Sequence, residues 1–170
     1  MRAQIEQARR EVRRGLAGQT DWFLPEGRRH FDPVTAVGTL SVILITAFLK
    51  GFIDEAAKSA ENAGRSSFRW LRQACADAFE AKPEAAEAQL AEAEREAERA
   101  RALARTLSAE QRRRVIAQSE EALQQALAEI VPPQRATAIV TEVRTAVVTH
   151  VIEFEATRTA APESRAWQPR

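Results

Sequence analysis

At 170 residues the chain has room for one domain with a substantial core. Its 25 basic and 24 acidic residues leave a formal charge of +1, so no global field draws it to nucleic acid or to anionic lipid, and any such attraction is local. The single cysteine, Cys75, excludes an intrachain disulfide, and nothing groups with it to hold a metal, which fits a reducing compartment.

Alanine supplies 34 residues and glycine only 6, and alanine is the strongest helix former. An all-α fold follows: a multi-helix bundle with one strongly apolar helix at about 33–53 and long Ala/Glu/Arg-rich amphipathic helices. Residues 1–18 read as an N-terminal amphipathic helix, with Ile5, Ala8, Val12 and Leu16 three or four apart and arginines on the remaining surface. Its stripe is narrow, though it could rest on an anionic membrane surface. Gly18 ends that helix, and 19–32 reads as a loop rich in Gly, Pro and Asp, whose Trp22, Phe23 and Leu24 are apolar enough to dock on something.

Asp32 and Pro33 form a helix start, with the acid at the N-cap and proline where its missing N–H costs nothing. The next helix runs from Pro33 to Lys50 or beyond. From Pro33 to Leu49, seventeen residues carry no charge, in a chain that is 29% charged. Apolar side chains fall on every face of this helix, so it has to be surrounded. The helical pattern continues to Glu80, with a break at Asn62, Ala63 and Gly64, where glycine suits a left-handed cap.

Lys82-Pro83 separates the two halves of the bundle domain, which spans 33–155. After Pro83, a heptad seam made largely of alanine runs through Ala86, Leu90, Ala93, Ala97, Ala100, Ala104 and Leu107. At about 0.8 kcal/mol per buried CH₂-sized group, such a coiled-coil seam is a weak zipper and needs neighbours. Ser108 and Gln111 match a capping box that opens a further helix, with Val115, Ser119, Ala122, Ala126 and Ile130 inward and Ile116, Leu123 and Leu127 beside them. Pro132-Pro133 ends it and starts the last helix, with Ile139, Val143, Val147 and Val151 four apart and Val140, Val148 and Ile152 adjacent. Its β-branched content also suits a strand, but no second strand exists to pair with it. Residues 156–170 read as a disordered tail with Trp167 as its one anchor.

Whether the apolar helix belongs in a membrane is nearly balanced. The eleven Val, Ile, Leu and Phe residues between Val34 and Ile53 favour insertion by roughly 3 to 7 kcal/mol in total. Lys50 opposes this by at most about 3 kcal/mol, and Ser, Thr and Gly residues remove more. Basic residues flank the run on both sides, with Arg28 and Arg29 before it and Lys58 and Arg65 after, so no orientation is set. No cleavable leader is expected, because the run begins only at Pro33 and lacks a small-x-small cleavage pattern.

Ala56, Ala60, Ala63 and Ser67 fall at small-xxx-small spacing, suited to close helix packing between copies. The outline from Val34 to Glu80, an apolar helix followed by a small-residue helix, is similar to helical membrane-perturbing effectors of bacterial conflict systems. That resemblance implies self-assembly in a membrane.

No phosphate-binding loop, dinucleotide-binding turn or nucleophile elbow occurs, so the chain is expected to be no enzyme and to need no cofactor. His30 reads as a solvated loop residue and His150 as a helix-face histidine. The cluster Arg112-Arg113-Arg114 is offset by Glu110, which disfavours nucleic acid. The expected function is interaction: a membrane-associated helical protein that self-assembles or disrupts a bilayer, with Val37, Leu40, Ile43, Leu44, Phe48, Leu49 and Phe52 facing lipid. The alternative is a soluble scaffold or adaptor that buries those residues and oligomerises through the alanine seam. Expected partners are a second copy, membrane lipids or another protein, and the expected setting is the cytoplasm, in association with the inner membrane.

Overall fold

A computed structural model describes residues 1–17, 33–58, 68–79 and 83–154. Among them the chain forms helices α1 (Arg2–Leu16), α2 (Pro33–Lys58), α3 (Arg69–Asp77), α4 (Pro83–Thr106), α5 (Ala109–Ala128) and α6 (Pro133–Val147), and no strand. A π-helical turn, Val148–Ile152, extends α6. The expected all-α bundle is the observed architecture. The loop 19–32 with Trp22, Phe23, Leu24 and His30, the break at 62–64, the small residues Ala60, Ala63 and Ser67, and the tail 156–170 lie outside the described residues.

The bundle is organised around α2, which touches every other described helix, α4 and α5 most extensively. Each neighbour contributes one apolar stripe. Ile5, Ala8, Val12 and Leu16 of α1 are all buried, and they meet α6 and α2. The N-terminal helix therefore shares the common core instead of standing apart from it, and the stripe that could have met a membrane surface is occupied by protein. The seam of α4 is buried at Leu90, Ala93, Ala97, Ala100 and Ala104, with Ala86 and Leu107 half-buried at its ends. Its small side chains let α4 lie close along the bulky side chains of α2, so in this conformation the alanine face packs within the chain.

The capping box at the start of α5 forms as read: Gln111 N donates to Ser108 Oγ at 3.1 Å, and Ser108 N to Gln111 Oε1 at 2.9 Å. The inward face of α5 is rotated from the expected one. Val115, Ile116, Ser119, Leu123 and Leu127 are buried, whereas Ala122, Ala126 and Ile130 are half-buried. The helix turns its two leucines inward, and a buried leucine gains about 2 to 3 kcal/mol against about 0.8 for an alanine methyl.

Helix α6 buries Ala136, Ile139, Val140, Val143, Ala146 and Val147. On its exposed side Thr137, Thr141 and Thr145 donate to the carbonyls of Pro133, Thr137 and Thr141 at 2.8 to 3.1 Å, so its threonines bond within the helix. The chain then widens by one residue: Glu153 N donates to Val148 O at 2.9 Å. This keeps Val151 and Ile152 buried.

Replacing Ser108 with alanine removes one cap acceptor and is expected to lower unfolding free energy by about 0.5 to 2 kcal/mol. Denaturant melts of the two proteins measure it, and equal midpoints would show that the box contributes nothing.

Candidate functional site

The feature that sets this chain apart is the wall-to-wall apolar surface of α2. Leu40, Leu44, Phe48, Leu49 and Phe52 are completely buried, Ile43 is 3% exposed, and only Val37 of the seven lipid- or core-facing residues is half-buried. All seven therefore meet protein in this conformation. Ala56 is also buried, while the rest of its small-residue series, Ala60, Ala63 and Ser67, is outside the described residues.

The uncharged polar groups of α2 look after themselves. Thr39 Oγ1 donates to Thr35 O at 2.9 Å, Ser41 Oγ to Val37 O at 2.7 Å, and Thr46 Oγ1 to Val42 O at 2.9 Å. Each hydroxyl is buried, and each takes a carbonyl one turn back on its own helix, so none depends on the surrounding bundle.

Polar ties to other helices include two among the described residues. Near the N-terminal end, Arg9 of α1 donates through Nε to Gly38 O at 3.3 Å while pairing with Glu6. Gly38 makes room for this, because a Cβ there would lie 2.7 Å from Arg9 Nη2. Towards the C-terminal end, Lys50 meets Glu92 of α4 at 2.5 Å and lies 4.8 Å from the centroid of the Trp70 ring on α3. A hollow of about 240 Å³ adjoins it, lined by Lys50, Ile53, Asp54, Phe68, Trp70, Glu96 and Arg99. Gly51 admits the Phe68 ring, whose Cζ would be 3.3 Å from an added Cβ.

Sequence reasoning missed these ties. Gly38 and Gly51 were visible only as interruptions of an apolar run, and their roles depend on side chains far away along the chain. His150 also finds a specific partner, with Nε2 2.7 Å from Glu11 Oε1, joining the π-turn to α1. Cys75 is buried on α3, and burial pushes its thiol up to about 12. It is a packing residue in this state, since the thiolate is the reactive form. No group of three or more His, Cys, Asp and Glu residues is placed to hold a metal among the described residues.

By length and composition α2 is also sufficient to cross a bilayer, with a mean hydropathy of 2.0 over its most apolar stretch, 89% of which is buried within the bundle. The chain was compared with known families, curated proteins and solved structures, and it matches none of them.

Two outcomes follow from this packing. Leu44→Ala should cost about 2 to 5 kcal/mol of stability and Val37→Ala clearly less, as read from denaturant midpoints; equal losses would contradict the burial pattern. Because the Cys75 thiol titrates higher in the folded chain than in the unfolded one, the folded state binds the extra proton at alkaline pH. Stability should therefore fall as pH rises from about 9 towards about 12, and a Cys75→Ala variant should lose that part of the decline. An identical alkaline decline in both proteins would contradict it.

Proposed function

We propose that this chain is a non-enzymatic, membrane-associating helical protein that holds its membrane helix in store. In the soluble form α1, α4, α5 and α6 cover α2, and in the membrane form α2 enters the hydrocarbon. Ala56 and the small residues that follow it in sequence are suited to packing between copies there. The observation that carries this reading is the self-sufficiency of α2. Its seventeen-residue uncharged stretch satisfies its buried hydroxyls internally, so moving it from protein to lipid strands none of those groups.

The energetics suit a switch. Insertion gains of roughly 3 to 7 kcal/mol, set against Lys50 and the polar residues, leave a small net term that neither compels nor forbids transfer. A bundle of similar marginal stability can be tipped by a membrane surface or a partner. The rival reading is a soluble scaffold whose most apolar helix is merely its core, and the deep burial of α2 supports it directly. Its proposed route to oligomers through Ala86 to Leu107 is less well supported, since that face already packs on α2.

Purified without detergent, the chain should be soluble, and on addition to phospholipid vesicles it should bind, release trapped dye and leave α2 protected from protease. Val34 is 58% exposed at the start of α2, so Val34→Glu should leave the melting curve nearly unchanged while lowering dye release several-fold. A soluble chain that neither binds vesicles nor releases dye would reject the membrane reading and leave the scaffold.

A further inference from the structure

We infer that α4 is the lid of the bundle: it makes the most extensive contact with α2, yet among the four long helices that cover α2 it has the least apolar material of its own, and it is the helix that moves aside when α2 is released. The inference deepens the stored-helix reading and rests on it only for the destination of α2; the opening itself is a property of the soluble protein.

Three observations converge on α4. The first is its face. Over 24 residues it contributes Leu90 as its one buried large side chain, with Leu103 half-buried, and the rest of its buried seam is Ala93, Ala97, Ala100 and Ala104. By contrast α5 commits Val115, Ile116, Leu123 and Leu127, and α1 commits Ile5, Val12 and Leu16 in a shorter helix. When α4 leaves, the apolar surface uncovered is therefore chiefly that of α2. In water that loss keeps the lid shut, whereas at a bilayer hydrocarbon replaces the cover and α4 itself gives up little.

The second is imperfect polar packing. Gln89 Oε1 and Arg101 Nη2 of α4 are buried with no hydrogen-bond partner among the described residues, against one such atom on α1, Gln4 Oε1, and one on α5, Arg112 Nε, while Glu94 Oε1 and Arg144 Nε have only the ion pairs with Arg2 and Glu120. Buried polar atoms without partners weaken the closed arrangement, and solvation on opening relieves them.

The third is the nature of the fastenings. Arg2 pairs with Glu87, an exposed contact, and lies 3.6 Å from Glu94; Lys50 pairs with Glu92; Arg101 Nε donates to Val151 O at 3.0 Å. The Arg2–Glu87 pair is an exposed surface contact that contributes little against solvent, and the Lys50 and Arg101 contacts are half-buried ties, few in number for a helix of this length. A pivot is also in place. Only Leu107 and Ser108 join α4 to α5, and the capping box fixes the start of α5 through bonds made entirely between Ser108 and Gln111.

The test is made on the full chain in a Cys75→Ala background, with single cysteines at two completely buried alanines: Ala97→Cys on the α4 seam and Ala146→Cys on α6. A water-soluble thiol reagent in native buffer should label the α4 site faster than the α6 site by about tenfold or more, because local opening of a lid precedes global unfolding. Gln89→Leu, which removes one orphaned acceptor, should slow the α4 site several-fold and leave the α6 site unchanged. Equal labelling rates at the two sites would overturn the inference.

Should the cysteines disturb folding, hydrogen exchange on the unaltered chain makes the same comparison. Amides of α4 should exchange ahead of those of α6, and the reverse order overturns the lid. Vesicles of phosphatidylethanolamine and phosphatidylglycerol in equal parts should accelerate labelling of the α4 site further. A lid that opens in buffer but does not respond to vesicles supports α4 as the moving wall and removes the bilayer as the destination of α2.

Discussion

The organisation of this protein follows from one constraint: a helix apolar on every side cannot face water anywhere along its length. Helix α2 is such a helix from Ala36 to Leu49, and each of the other described helices gives up one stripe to cover it. The amphipathic patterns of α1, α5 and α6 are half-solutions to the same problem, since each must hide one side and wet the other. Placing α2 at the centre satisfies all of them at once and yields a single contiguous core.

The same constraint explains how polar groups are distributed. Inside the apolar stretch, hydroxyls turn back onto their own backbone, and the ties to neighbours fall at Gly38 and Lys50, towards its two ends. A helix built in this way interacts with its surroundings almost entirely through non-directional burial. Protein side chains and lipid chains are then close substitutes as cover, which is the physical basis for proposing two states for one sequence. Coverage is uneven in kind as well as extent: α5 shields with leucines, whereas α4 shields with methyl groups and backbone.

Most of the architecture was legible in the sequence, because helix periodicity and punctuation are local signals. Pro33, Pro83 and Pro133 open three helices, the Ser108 and Gln111 box opens a fourth, and the three- and four-residue spacing of Ile5, Ala8, Val12 and Leu16 picked out the buried side of α1. What depends on distant parts of the chain was less legible. The inward face of α5 was centred on Val115, Ser119, Ala122, Ala126 and Ile130 with Ile116, Leu123 and Leu127 beside them; competition between faces is settled by what the neighbours offer, and the helix turns towards Leu123 and Leu127, leaving Ala122, Ala126 and Ile130 half-buried. The pairing of the α4 seam with α2 could not be told from pairing with a second copy, because alanine periodicity is the same for either. Arg9 on Gly38 and His150 on Glu11 link residues 29 and 139 positions apart, beyond any motif.

The central claim is that, in water, the side chains of α2 are covered by the chain's own helices. It is tested most directly by methyl NMR of the detergent-free protein with a soluble paramagnetic agent. The methyl signals of Leu40, Leu44 and Leu49 should be untouched while those of the half-buried Leu103 and Leu107 on the α4 side broaden. Broadening of the α2 methyls to the same degree, or a protein that stays in solution only with detergent, would contradict the account.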